Sequence, residues 1–436
     1  MSSFVNEPLG SLLGERGYIR GPFGSALVRK ELQSFGIPVY EQQHAISGTR
    51  EFRFYVGQEK FDELKRFAVK ANDLIISCSG TVGRISTIRE GDPLGIISQA
   101  LLILRPDVSK VLPKFLGYFL GGDTGQRALI QASHGTVQVN IAPRSVVETI
   151  PIPVPSLEEQ QAIVQVLGSI DDKIELNGRL NETLEAMACT LFQSWFVDFD
   201  PVRAKANGDS AKSICQRWGL TPELLALFPD SFGNSELGEI PNGWTVRGLD
   251  DVANYLNGLA LQKYPALEGK DWLPVIKIAQ LRAGHTLSAD KASTQVPAPY
   301  VIENGDVLFS WSGSLEVEIW CGGRGALNQH LFKVTSGEYP KWFYFLWTRF
   351  HLSFFRDIAA NKATTMGHIQ RKHLSEAKVL CPPMELLDEM TKVLMPLIEM
   401  TISNRLEAGG LSNVRTALLP ELLSGNVAVV VEAELS

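Results

Sequence analysis

Hydrophobic residues at Ile163, Leu167, Ile170, Ile174, Leu184, Ala188, Leu191 and Trp195, with Asn177 and Asn181 between them, step along the chain alternately by four and three. That spacing is the a/d seam of a heptad helix, and eight of its ten positions are apolar. The seam returns 227 residues later at Met390, Leu394, Leu397, Thr401, Asn404, Ala408, Leu411, Arg415, Leu418 and Leu422, with seven of ten apolar. Ser156-Leu157-Glu158-Glu159 after Pro155 is a capping box, so the first helix is predicted over about 156–196. At 1.5 Å per residue it would be roughly 60 Å long. In the second helix Pro396 removes a backbone donor, which predicts a kink or the true start there, and Gly409-Gly410 weaken it further. Asn177 and Asn404 stand at the same step of the two seams. A buried polar residue fixing register and a solvated turn of a bent helix account for them equally well.

Outside the seams, short alternating or apolar runs predict strands at Leu74–Ser77, Ala100–Leu104, Val307–Phe309 and Leu331–Val334. Short helices are predicted at Lys114–Leu120 and Lys341–Phe350. These elements recur too. Asn72–Gly80 is echoed by Gly305–Gly313 at an offset of 233, Gly36–Val39 by Trp272–Val275 at 236, and Thr136–Pro155 by Thr364–Pro383 at 228. Their common order points to a duplicated unit, an α+β domain followed by a long helix. The intervening Pro-, Gly-, Asn- and Asp-rich stretch reads as a loop with one short helix near Pro222–Phe228.

Composition changes this picture little. The chain has 436 residues, 44% of them hydrophobic, enough for two cores and typical of a soluble globular protein. It has no apolar run long enough to span a membrane and no export signal at its start. Five scattered cysteines make neither a disulfide framework nor a zinc site, and a cytoplasmic location fits them best. The net charge of −7 is unevenly spread: +3 over residues 1–150, −6 over 151–235, +1 over 236–381 and −5 over 382–436. A polyanion could be met by the two globular segments, provided that their positive groups share a face.

Catalytic signatures are missing. There is no GxxxxGK[ST] loop, no GxGxxG after a strand, no HExxH and no GxSxG. Asp306 with Glu316 and Glu318 is the one carboxylate grouping reminiscent of a nuclease, and no lysine follows it at the required place. The histidines, His134 and His330 among them, do not cluster at metal spacing.

Ile150-Pro151-Ile152-Pro153-Val154-Pro155-Ser156-Leu157-Glu158-Glu159-Gln160, followed by a long helix and Ser194-Trp195-Phe196-Val197-Asp198-Phe199-Asp200-Pro201, closely resembles the central conserved region of specificity subunits of type I restriction–modification enzymes. Leu418–Gly425 is similar to the family's C-terminal conserved region, and Gly21–Ser25, Gly36–Val39 and Leu237–Trp244 resemble further family segments. The first half lacks the LGEIPxGW lead-in that the second half has, which puts its opening strand in question. The resemblance implies two mixed α/β target recognition domains in tandem, separated by two long antiparallel coiled-coil helices with pseudo-twofold symmetry. Its boundaries would be 1–155 for the first domain, 156–199 for the central helix, 200–236 for a linker, 237–383 for the second domain, 384–425 for the C-terminal helix and 426–436 for a tail.

It also implies a non-catalytic subunit that binds double-stranded DNA at a bipartite, asymmetric target. Two methyltransferase subunits and motor-nuclease subunits would be its partners; S-adenosylmethionine, ATP and Mg would be bound by those partners and no cofactor or metal by this chain. The helix pair would pack through Ile163, Leu167, Ile170, Ile174, Asn177, Leu184, Leu191, Trp195, Leu394, Leu397, Asn404, Leu411, Leu418 and Leu422. Residue types that contact bases or phosphates, taken from the repeated loops, give Arg20, Ser25, Lys30, Gln42, Arg84, Gln138 and Asn140 in the first domain. In the second they give Lys263, Lys277, Gln280, Asn328, Gln329, Thr364 and His368. For any one of these, ordinary loop polarity is as good an account as a DNA contact. The two Ser-x-Ser-Gly turns read as scaffold, since readers of different half-sites share framework and differ in contacts. Two other classes compete: an enzyme fusing recognition with methylation or cleavage, and a coiled-coil scaffold that binds no DNA.

Overall fold

The computed structural model describes residues 4–131, 133–134, 140–141, 143–360, 367–427 and 429. Gln138 and Thr364 lie outside them. The chain divides into two compact units, residues 1–173 with 411–436, and residues 174–410. Both divisions fall inside the long helices, Leu157–Phe196 and Met384–Leu423, and not at their ends.

In the first unit the strands Leu13–Arg20, Leu101–Pro106, Leu74–Ser77 and Ile85–Thr87 form an antiparallel sheet in that order. A smaller sheet sets Ile37–Tyr40 between Tyr55–Val56, antiparallel, and Ile96–Ile97, parallel. The unbroken apolar run at Leu74–Ser77 has a physical cause. Leu74, Ile76, Leu102 and Leu104 face one core, shared with the helix Pro113–Gly121 and with Ile163, Leu167 and Leu422 of the long helices. Ile75, Leu101 and Ile103 face the other, shared with Val39, Tyr40 and Ile96. A sheet buried on both faces needs no polar alternation.

The second unit repeats the plan. Its main sheet runs Asn254–Asn257, Leu331–Thr335, Val307–Ser310, Val317–Ile319, and its smaller sheet Lys291–Ser293, Trp272–Ile276, Gly325–Leu327, Val301–Ile302. Val307, Phe309, Phe332 and Val334 face one core, and Leu308 and Leu331 another. Each unit also closes an antiparallel pair, Val5–Pro8 with Pro151–Val154 and Thr245–Gly248 with Lys378–Cys381. The first unit's opening strand is thus present. The Leu237–Trp244 segment contributes to a hairpin, Phe232–Ser235 with Gly238–Pro241, that precedes its counterpart in the second unit.

Both long helices have 40 residues. Ser156 Oγ accepts from Glu159 N at 3.2 Å while Glu159 reaches back to Ser156 N at 3.1 Å, closing the capping box. None of the twenty seam positions is exposed. In the second unit Ala188 and Trp195 bury with Met390, Leu394 and Ile398, and the helices run antiparallel there. The asparagines are buried and bonded, which decides against the solvated-turn reading: Asn177 Nδ2 donates to Glu407 at 2.8 Å and to the Asn404 carbonyl at 3.4 Å.

Two expectations are corrected. Pro396 does not mark the start of the second helix, which begins at Met384 and continues to Leu423. Pro396 and Lys392, whose carbonyl loses its intrahelical donor, are both exposed, which leaves that carbonyl open to solvent. Residues 200–236 are not a loop with one helix. They hold three helices, Asp200–Ala206, Ala211–Trp218 and Pro222–Leu227, and the first hairpin strand. The residues that looked like loop composition are caps: Ser210 and Thr221 accept from the N3 amides, Pro201 and Pro222 sit in first turns, and Gly219 ends a helix at φ 63°. Val202, Ile214, Leu224, Leu225 and Phe228 bury beside Trp195 and Phe196, making this segment part of the second unit's core.

Candidate nucleic-acid interface

Three loops meet at one edge of the main sheet in each unit. In the first they follow Arg20, follow Ser77 and precede Leu101. Gly21 must lack a side chain, because a Cβ there would lie 2.0 Å from the Ser98 carbonyl. Gly258 is its counterpart, with a Cβ position 2.2 Å from the Asn328 carbonyl.

The Ser-x-Ser-Gly turns are built alike. Ser77, fully buried, donates from its hydroxyl to the Thr81 carbonyl and accepts from Arg84 N at 2.9 Å. Ser310, also buried, donates to the Ser314 carbonyl at 2.6 Å and accepts from Glu316 N at 2.7 Å. Gly80 and Gly313 take φ of 65° and 66°, as such turns require. Each serine braces the loop that follows it.

Several residues singled out in the sequence gather here. The half-buried Arg20 lies against the Cys78 thiol and 5.8 Å from the Phe23 ring. Gln42 donates to the Ser79 and Thr81 carbonyls, and Arg84 stands exposed at the end of the turn. Asn140 pairs across a short bridge with His134, and the next residue, Ile141, donates its amide to the Cys78 carbonyl at 3.0 Å. Ser25 belongs to the 3₁₀ turn Gly24–Ala26 that leaves the edge, and Lys30 is exposed on the next, Arg29–Glu31.

In the second unit Gln329 and His368 flank the Trp311–Gly313 turn. The Trp311 indole donates to the Gln329 carbonyl at 3.1 Å, and Ser312 bridges to His368. Asn328 is buried, and its Oδ1 accepts from His330 N at 3.2 Å, so its amide braces this loop from inside. Lys277 and Gln280 sit at the start of the helix Ile278–Ala283, where Gln280 Oε1 accepts from Lys277 N at 3.3 Å and the Lys277 ammonium pairs with Asp290. Lys263 is exposed on the 3₁₀ turn Leu261–Lys263.

Sequence reasoning missed Asn257, Trp311 and Gln126. Asn257 precedes Gly258 as Arg20 precedes Gly21, a signal readable only once the strands are aligned. Its Oδ1 accepts from the Trp311 indole at 2.9 Å. Gln126 donates to the Gly83 and Leu120 carbonyls, tying the first unit's turn to the helix Asp123–Gln131.

The acidic grouping is disposed of by its partners. Asp306 pairs with Lys333 at 2.7 Å, Glu316 with Arg356 at 3.2 Å and Glu318 with Arg405 at 3.2 Å. Among the described residues no group of three His, Cys, Asp or Glu is placed to hold a metal. Burial pushes the Cys78 thiol up to about 12, against the pull of Arg20, so it stays protonated and is no nucleophile. His330 Nδ1 lies 2.9 Å from Ser312 Oγ, a satisfied loop histidine.

Comparison with known proteins adds to this geometry. The profile of the Type I restriction modification DNA specificity domain matches residues 31–186 and 241–408. The Type I restriction enzyme HindI specificity subunit of Haemophilus influenzae is 27% identical over 383 residues, 76% of this chain and 81% of that one. The MjaIX specificity subunit of Methanocaldococcus jannaschii is 26% identical over 379 residues, 83% and 81% of the two chains. Among solved structures, the S subunit of a type I restriction–modification system from M. genitalium aligns over 96% of both chains at 15% identity with a TM-score of 0.55, a likeness of fold.

Proposed function

The chain belongs to the type I restriction–modification DNA specificity family, and from that we propose that it is the non-catalytic subunit through which such a complex recognises double-stranded DNA. Each unit reads one half of a bipartite, asymmetric target. Partner subunits then methylate adenine and cleave: two methyltransferase subunits supplied with S-adenosylmethionine, and motor-nuclease subunits supplied with ATP and Mg.

One observation carries this reading. The two loop edges share their framework, the glycine that admits close backbone contact and the serine that braces the turn, and differ in the side chains they present. Two readers of two different sequences need that combination. Arg20, Ser25, Lys30, Gln42, Arg84, Gln138 and Asn140 serve one half-site, and Lys263, Lys277, Gln280, Asn328, Gln329, Thr364 and His368 the other, either at base edges or phosphates or by supporting the loops that reach them. The 40-residue helices, each about 60 Å long, set the unread gap between half-sites, since half-site spacing follows protein geometry. Partner subunits dock on the acidic helical segments, where Leu176, Leu180 and Met187 leave apolar surface on the first helix.

Expressing the chain with and without its methyltransferase partner, and mapping methylated adenines across the host genome, separates the readings. A new bipartite motif that needs both proteins supports recognition. Methylation by this chain alone would mean a fused enzyme, and none in either case a scaffold.

A further inference from the structure

Arg20 and Asn257 hold the same place in the two units. Arg20 pairs in register with Leu102 and Asn257 with Phe332, at the ends of equivalent edge strands of the main sheets. Each is followed by the glycine that admits close backbone approach, Gly21 or Gly258. Each stands beside the braced turn, whose second residue is Cys78 in one unit and Trp311 in the other, and Trp311 bonds Asn257 directly. Place and neighbour are duplicated while the side chain itself has changed from a guanidinium to a carboxamide. A scaffold position would have kept its chemistry, as Ser77 and Ser310 did.

The two environments also decide what each side chain can offer. Arg20 carries donors only, and its contacts at Cys78 and Phe23 leave it half-buried and aimed by its surroundings. Asn257 is exposed, but it is not free to turn over. The Trp311 indole N–H can only donate, so the atom facing it is the amide oxygen, and the Asn257 NH₂ points away with one oxygen lone pair still open. The indole is itself held by a second bond, to the Gln329 carbonyl, and packs tilted at 5.9 Å and 6.1 Å from the His330 and Phe332 rings. A fixed donor–acceptor pair matches the N7 and N6 edge of adenine, and a donor-only guanidinium matches the N7 and O6 edge of guanine.

Resting on the DNA-recognition reading above, we infer that Arg20 and Asn257 each read one base pair, a guanine in the first unit's half-site and an adenine in the second's. Trp311 is the positioning residue that orients Asn257.

The test uses the full chain co-expressed with its methyltransferase partner, with methylated adenines mapped genome-wide for R20A, N257A, N257D and W311F. R20A is expected to lose discrimination, roughly ten- to a hundredfold, at one base pair of one half-site and leave the other half intact. N257A and N257D are expected to do the same at one base pair of the other half. W311F keeps an aromatic ring but removes the indole N–H that holds the amide, so it relaxes the same base pair as N257A. Since Asn257 is exposed, an unchanged melting temperature of N257A checks that the fold is retained. A bipartite motif whose every base survives in these variants overturns the assignment alone. So does a uniform loss across all positions with a shallower salt dependence, the mark of a phosphate contact. If the unsubstituted pair yields no bipartite motif, the recognition reading falls, and this inference with it.

Discussion

The side-chain amide of Asn404 donates to Oδ1 of Asn181 across 2.9 Å within the paired helices, at positions that are 9% and 8% exposed. Asn177, one turn earlier on the first helix and 1% exposed, donates its side-chain amide to the Asn404 backbone carbonyl at 3.4 Å. This polar layer interrupts two seams that are mostly apolar.

N181L would strand the Asn404 amide in a place water does not reach, at a cost of about 1–3 kcal/mol. The double variant N181L/N404L replaces both partners by apolar groups and should be less destabilised than the sum of the single ones. A double-mutant cycle by denaturant unfolding measures the coupling; simple additivity would show that the amides do not depend on each other.

Arg405 joins the second helix to two carboxylates, Glu185 at 2.7 Å and Glu318 at 3.2 Å, and Glu185 also takes Arg349 at 3.1 Å. Burial raises the Glu318 carboxyl above its usual range, and Arg405 offsets part of that. R405M leaves two part-buried carboxylates short of a partner and should cost about 1–3 kcal/mol. R405K should not restore it, because an ammonium cannot span both acids as a planar guanidinium does. Full stability of the lysine variant in thermal melts would contradict this.

His351 gives a pH dependence with a definite sign. It is half-buried against Trp347 and Phe355 and bonds the Lys378 carbonyl at 2.8 Å. Burial lowers its pKa below the ordinary histidine value, outweighing the carbonyl's upward pull. The folded state therefore binds fewer protons than the unfolded one near that value. The stability it contributes is present above the unfolded pKa of about 6.5 and is lost as pH falls through the lower folded value. The melting temperature should drop between pH 7.5 and 5.5, and H351Q should flatten that slope. An equal slope in both proteins would place the effect elsewhere.

Gly409 and Gly410 are exposed inside the second long helix, with open space where a Cβ would go. Alanine at each should stabilise by up to about 1 kcal/mol. Gly258 is the opposite case. G258A drives a methyl into the Asn328 carbonyl and should cost roughly 1–3 kcal/mol. Melting temperatures that move in the same direction for G409A and G258A would contradict the distinction.

The helix pair was legible because a seam needs one apolar residue every three or four positions, and Ile163 to Trp195 keep that period even through the asparagines. The strands at Leu74 and Val307 showed for a similar reason, being buried on both faces. Short helices were harder. At Ser210, Gly219 and Thr221 the capping residues outnumber the periodic ones, so a packed helical segment looks like a loop. Pro396 misled as a start signal because a proline costs one hydrogen bond and a local clash, which a 40-residue helix packed along its apolar seam outweighs. The loop edge proposed to meet DNA was partly visible. Arg20, Gln42, Arg84 and Gln329, which lie there, were singled out because they are polar residues in repeated loops. Asn257 was not, because its equivalence to Arg20 rests on strand register, which the drifting offsets conceal; Trp311, aligned with Cys78 by the repeat, was passed over because an aromatic in a scaffold turn looks like packing.

The claim that two units read two half-sites is tested most directly by equilibrium binding. The complex of this chain with its methyltransferase partner would be titrated with duplexes carrying the mapped target, and with duplexes in which one half or the other is scrambled. Scrambling either half should lower affinity toward the non-specific level, by roughly a thousandfold at fixed salt. Affinity that survives the loss of one half would contradict the account.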